Sequence, residues 1–298
     1  MMRIGDAFRY QLYQTALSNL EGQLDNTAEE VASGKKVMVP SDDPASYAQN
    51  LEILAQQSQN TQYKNNLDSL QAQGSYYETS VNSISNVLSS VQQLAIEMAS
   101  STVDANSRAS AASQVDDLIQ QLVTVGNTKV GDTYIFGGTM AANAPYTSNG
   151  TFQGSAEVGQ VAVSSSTTVD AGISGQTIFT GTANGQAVDI FQTLQTFSQD
   201  LSSNNTAGLQ TDLGNINNCV DLTANNLAYV GTYTKNISNL LTANSNTDTT
   251  LSEDSSDLVS ADMAKAISDY STLSTAYQAA LYTMAKVESL NILDYLPA

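Results

Sequence analysis

Apolar residues recur along this chain at alternating steps of three and four. From Leu67 they fall at Leu70, Gly74, Tyr77, Val81, Ile84, Leu88, Val91, Ala95 and Met98. A seam of that length marks a long helix lying against another, because a repeat of about 3.5 residues keeps one face turned to a neighbour. A second seam runs through Leu209, Leu213, Ile216, Val220, Thr223, Leu227, Val230, Thr234, Ile237 and Leu241. A third follows at Val259, Met263, Ala266, Tyr270, Leu273, Tyr277, Ala280, Met284 and Val287. The N-terminus carries its own at Tyr13, Leu17, Leu20, Leu24, Thr27 and Val31, with Ile4 and Phe8 leading in, and a shorter amphipathic stretch covers Val115, Leu118, Leu122 and Val125. The pattern predicts a mainly α fold with a β-rich insertion, its long coiled-coil-like helices formed by the N- and C-terminal halves.

Between residues 141 and 185 the helical period disappears. Gly, Asn and Ser punctuate short alternations such as Val161 and Val163 or Ile178 to Phe179. Turn-forming clusters between β-prone runs predict small strands, with a disordered Ser/Thr-rich linker as the alternative. The expected organisation is therefore threefold. Residues 1–40 with 256–298 form terminal helical segments, 41–140 with 186–255 a helical shaft, and 141–185 a β-rich outer domain.

One helix start is marked in Pro40-Ser41-Asp42-Asp43-Pro44-Ala45. Asp43 suits an N-cap, and Pro44 suits the first helical position, where its missing N–H costs nothing. A calcium site on Asp42 and Asp43 is the alternative, but two adjacent carboxylates fall far short of the 6–8 oxygens that ion takes.

The terminal seams raise a problem of energetics. Each is a narrow apolar stripe on a helix of polar filler, and burying one stripe cannot offset the entropy lost in ordering the whole segment. Unless the rest of the chain covers them in a closed bundle, these ends are expected to be mobile in the monomer and to order against other subunits. The candidate assembly residues are Ile4, Phe8, Tyr13, Leu17, Leu20 and Leu24, facing Met263, Tyr270, Leu273, Tyr277, Leu281 and Met284. Ile292, Leu293 and Leu296 add an apolar end contact.

Composition narrows the chemistry. The chain has 298 residues, no His, no Trp and one cysteine, Cys219. Without His there is no Ser-His-Asp or Cys-His constellation and no helical zinc site, and one thiol makes no internal disulfide. No spacing of Ser, Asp, Lys or Tyr stands out, so neither an enzyme nor a cofactor is expected. The 10 basic residues against 29 acidic ones give a net charge of −19, which argues against nucleic acid and anionic membranes as partners. Nothing approaches the ~20 consecutive apolar residues of a membrane span. Arg9, Gln11, Gln14, Ser18 and Asn19 interrupt the start, so no cleavable leader is expected.

Three segments together resemble the flagellin superfamily of bacterial flagellar proteins. Ser33-Gly34-Lys35-Lys36-Val37-Met38-Val39-Pro40-Ser41-Asp42-Asp43-Pro44-Ala45 is similar to that family's turn after the first helix. Asp132-Thr133-Tyr134-Ile135-Phe136-Gly137-Gly138-Thr139 is similar to its exit into the middle domain, and Leu290-Asn291-Ile292-Leu293-Asp294-Tyr295-Leu296 to its tail. Filament flagellins usually carry R-I-N-x-A-x-D-D-A-A-G where this chain has two prolines, and they end in a basic Leu-rich tail. Both departures favour the hook–filament junction branch over a filament subunit. A coiled-coil tip or translocator protein of a type III injection apparatus is the other alternative. The resemblance implies an extracellular flagellar subunit exported uncleaved through the type III channel. It also implies self-association in a helical ring between hook-associated protein 1 and flagellin, and an export chaperone on the C-terminal segment.

Overall fold

The computed structural model describes the backbone of residues 3–289 and the side chains of 8 and 10–286. The chain is mainly α-helical. Its helices are α1 (Arg3–Ser33), α2 (Pro44–Met98), α3 (Ala105–Gly126), α4 (Gly175–Phe179), α5 (Ile190–Ser202), α6 (Thr206–Val259) and α7 (Met263–Ser289). Among the described residues, six short strands make three separate antiparallel hairpins: β1 (Lys129–Val130) with β2 (Thr133–Tyr134), β3 (Gln160–Ala162) with β4 (Thr168–Asp170), and β5 (Thr180–Ala183) with β6 (Gln186–Asp189).

Two compact units result, residues 1–58 with 248–298, and residues 59–247. These limits differ from those read along the sequence. The division falls inside α2 and α6, which run unbroken through the expected edge at 255 and well past the one at 41. The stretch 141–185 is no separate unit, because its Tyr146, Ile173, Ile178 and Phe179 enter the same core as the helices of residues 59–247.

That core is continuous. Every seam residue of α2 from Leu67 to Met98 is buried. Residues Val115, Ile119 and Leu122 of α3, Phe191, Leu194, Phe197 and Leu201 of α5, and Leu209, Ile216, Cys219 and Val230 of α6 pack with it. An aromatic cluster fills the end under the loops: Phe136 lies 5.5 Å from Tyr77 and 6.0 Å from Phe179, and Phe179 stacks on Phe191 at 5.0 Å. The Tyr77 hydroxyl donates to the Ile135 carbonyl (2.8 Å) and accepts the Ile173 N–H (3.0 Å), pinning two loops to α2. A smaller cluster of Leu67, Leu70, Ile237 and Val163 seats the β3–β4 hairpin on the helices.

Buried polar groups are mostly matched. Arg108 donates to the carbonyls of Met98 (3.1 Å) and Ser100 (2.8 Å) at the end of α2, and to Asn204 Oδ1 (2.6 Å). Asn60 and Asn244 exchange amide bonds across α2 and α6 at 3.1 and 2.6 Å. A pair of that kind admits one register between the two helices. Burial pushes the Cys219 thiol up to about 11, so it is a packed, unreactive side chain. Ile178 and Phe179, read as strand-like, instead form the single helical turn of α4, capped by Ser174. A lone turn needs no helical period to form when its two apolar residues both drop into a core.

Candidate functional site

In the terminal unit the turns α1–α2 and α6–α7 meet at an antiparallel bridge between Lys35 and Ser260. Gly34, with φ +69°, ends α1 in the left-handed conformation that glycine adopts without strain, and its N–H donates to the Glu30 carbonyl (2.9 Å). Its own carbonyl accepts from Ala261 N–H (2.9 Å), and Lys36 N–H donates to the Val259 carbonyl (2.8 Å). Lys36 Nζ adds a bond to the Asp257 carbonyl at 3.0 Å. The turns α1–α2 and α6–α7 are thus stitched backbone to backbone.

Asp42, Asp43 and Pro44 set the entry to α2. Asp42 Oδ2 accepts the N–H groups of Met38 (2.9 Å) and Val39 (3.0 Å), closing the loop on itself. Asp43 Oδ1 accepts from Ala45 (3.0 Å) and Ser46 (3.2 Å), its Oδ2 takes the Ser46 hydroxyl (2.6 Å), and Pro44 is the first helical residue. These donors hold both carboxyls below their ordinary range: the backbone of Met38 and Val39 for Asp42, the hydroxyl and N–H of Ser46 for Asp43. Both oxygens of Asp43 and Oδ2 of Asp42 are engaged in the turn. Asp262 does the same for α7, accepting from Ala264 (3.0 Å) and Lys265 (3.1 Å). That cap escaped sequence reasoning, because the apolar seam runs from Val259 to Met263 without a Gly or Pro to mark the break.

Helices α1 and α7 pack against each other, and their seams face inward only in part. Leu17, Leu20 and Leu24 are half-buried, as are Leu273, Tyr277 and Met284. Phe8, Tyr13, Met263, Tyr270 and Leu281 remain exposed, Phe8 at 68 %. Ile4, Ile292, Leu293 and Leu296 lie outside the described side chains. Beyond the expected residues, Tyr10, Leu12, Ile267 and Tyr282 are also open to solvent, Tyr282 at 78 %. The pattern search passed over them because they lie off the seam, on the flanks of both helices. Among the described residues of this unit only Val37, Val259 and Ala266 are buried. Exposed apolar side chains thus run along both long helices of this unit, more than scattered single surface residues would give. No described helix is long and apolar enough to cross a membrane.

Known proteins share this helical arrangement. The family model for the bacterial flagellin N-terminal helical region matches residues 8–141, and that for the bacterial flagellin C-terminal helical region matches residues 198–296. The chain is 28 % identical over 180 residues to flagellar hook-associated protein 3 of Escherichia coli (strain K12), which is 60 % of this chain and 57 % of that protein. The protein of the same name from Salmonella typhimurium is 26 % identical over the same shares of each chain. The chain thus spans little more than half the length of these relatives. Among solved structures, FlgL of Bacillus cereus superposes with a TM-score of 0.58 at 19 % identity, covering 69 % of this chain and 99 % of that one. The flagellar junction protein FlgL of Legionella pneumophila gives 0.56 at 15 %, covering 72 % and 100 %.

Proposed function

We propose, on the premise that the chain belongs to the flagellin superfamily, that it is a structural subunit of the bacterial flagellum acting as the junction between hook and filament. One observation carries the reading: helices α1 and α7 pair with each other, yet leave their large apolar side chains, among those described, half-covered or exposed. A subunit that ends its folding by itself has no use for such a surface. A subunit whose ends pack among the ends of its neighbours requires it. The terminal segments 1–40 and 256–298 order fully only in that lattice, and residues 59–247 fold independently of it.

The partners follow from the same premise. The subunit self-associates in a helical ring, with hook-associated protein 1 on the hook side and flagellin on the other. It reaches that place outside the cell through the flagellar export channel without loss of a leader, and a chaperone holds its C-terminal segment beforehand. Its work is mechanical, and no bond is made or broken.

The test is the double variant Leu273→Asp with Leu281→Asp. Subunits carrying it are expected to be absent from isolated flagella, and cells depending on it to lose motility, while the unfolding transition of residues 59–247 stays in place. Motile filaments built on this variant refute the assembly role of α7. Limited proteolysis of the purified subunit is expected to trim both ends and leave a stable piece near residues 40–255.

A further inference from the structure

The sequence holds two Asn-Gly dipeptides, Asn149-Gly150 and Asn184-Gly185, and the fold treats them differently. Asn184 and Gly185 form the two-residue turn of the β5–β6 hairpin, closed by the pair Ala183 and Gln186, with φ of +52° and +76°. That is the type I′ turn whose twist matches the strands. From the tip, Asn184 Nδ2 donates to Asn218 Oδ1 (2.9 Å) and Asp221 Oδ2 (2.8 Å), so one side-chain amide fastens the hairpin to α6. Gly185 is exposed, the space around its Cα is open, and its N–H makes no hydrogen bond among the described residues. Gly150 is buried under the Phe191 ring, and its N–H donates to the Thr147 carbonyl at 2.9 Å.

The geometry points to Asn184 as a site of spontaneous deamidation whose conversion frees the tip of the β5–β6 hairpin from α6, while Ala183 and Val188 stay seated in the core. The Gly185 nitrogen, its proton taken by solvent hydroxide, attacks Asn184 Cγ. The new N–Cγ bond forms as the Cγ–Nδ2 bond breaks, ammonia leaves with a proton from water, and a succinimide remains. Water then opens the ring to aspartate or isoaspartate, and nothing is oxidised or reduced. Gly185 favours the attack because it has no Cβ to obstruct the ring. The product carries a carboxylate where a double donor stood, facing the Asp221 carboxylate across the same short distance. Two hydrogen bonds are lost, and like charges are set against each other. While the amide is fastened it resists the rotation that attack requires, so conversion is faster when the fastening is weakened.

Peptide mapping of the full chain, aged in mildly alkaline buffer, tests this directly. Asn184 is expected to gain the mass of the acid several-fold faster than Asn149, because Gly150 is buried under Phe191 with its N–H engaged whereas Gly185 is open to solvent. Asp221→Ala is expected to speed conversion further. Amide exchange gives the second readout. Asn184→Asp should lose protection along Thr180–Asp189, and Asn184→Asp with Asp221→Asn should recover part of it. An unconverted Asn184, an Asn149 that converts as fast, or an Asn184→Asp hairpin as protected as the parent overturns the proposal.

Discussion

Long helices with regular apolar seams serve both residues 59–247 and the two ends of the chain, yet they dispose of their apolar side chains in opposite ways. In the middle unit the α2 seam from Leu67 to Met98 is buried without a break, and rings from Tyr77 to Phe191 close the far end. In the terminal unit the 31 residues of α1 present an equally regular seam, but none of its described side chains is buried. The difference separates two uses of one pattern. A heptad stripe states that a face will be covered and leaves open by what. Where the chain itself supplies loops, hairpins and a second layer, the stripe becomes a core. Where it supplies one partner helix, the stripe stays half-covered, and on the proposed reading it is left for neighbouring subunits.

The contrast is broken most forcefully by cutting each unit in the same way. Phe179→Ala removes a fully buried ring from the aromatic cluster and is expected to cost about 3–5 kcal/mol, read as a lower denaturant midpoint of the middle unit. Leu24→Ala removes a half-buried side chain from α1 and is expected to cost the isolated subunit about 1 kcal/mol or less, while weakening its incorporation into flagella. If the two variants unfold the free subunit equally, the ends are a core like the middle.

Legibility in the sequence follows the same division. The α2 seam could be read residue by residue because it is apolar on the side that packs. The α6 seam was legible at every seventh position, at Leu209, Ile216, Thr223, Val230 and Ile237, and misleading between them. The structure buries Asp212, Cys219 and Asn226 there and leaves Leu227 at 38 % exposure. The covering layer on that flank comes from α5, α4 and the β5–β6 hairpin, and it meets α6 through polar contacts such as Asn226 Nδ2 to the Ile178 carbonyl (2.7 Å). Counting apolar residues cannot register those. In the terminal unit the stripe itself was legible but the open flanks were not, since Tyr10, Leu12, Ile267 and Tyr282 stand off the seam.

A smaller effect separates the units by pH at the α5–α6 corner. Asp212 is buried with Oδ2 unpartnered among the described residues, and Asp200 lies against Gly208, one turn before it on α6. Burial, then the charge of Asp200 and a hydrogen bond to it, raise the Asp212 carboxyl from 3.8 to about 6. A raised carboxyl favours folding only while protonated, so its contribution is complete below about pH 4 and lost as pH rises through about 6. Asp212→Asn is expected to stabilise the middle unit at neutral pH by about 1–2 kcal/mol, because solvent edges the corner. It should also flatten the pH profile between those limits. An unchanged profile would place the proton elsewhere.

The least of these effects has the opposite sign and lies in the terminal unit. Asp42 and Asp43 are held below their ordinary 3.8 by the backbone N–H groups and the Ser46 hydroxyl that they accept. A lowered carboxyl stabilises the fold while ionised, so this contribution is present above about pH 4 and fades as acid protonates the folded form. On acidification from neutral pH, the Val37–Tyr47 turn is expected to lose amide-exchange protection while the α5–α6 corner gains it. Asp43→Asn keeps an N-cap acceptor and should remove most of the acid sensitivity at the start of α2, whereas Asp43→Ala should weaken protection of Ser46 and Tyr47 at every pH. A turn and a corner that respond to acid in the same direction would mean that the two carboxyl environments do not differ as their hydrogen bonds require. The pH contrast between the units would then fall, whatever the outcome at Phe179 and Leu24.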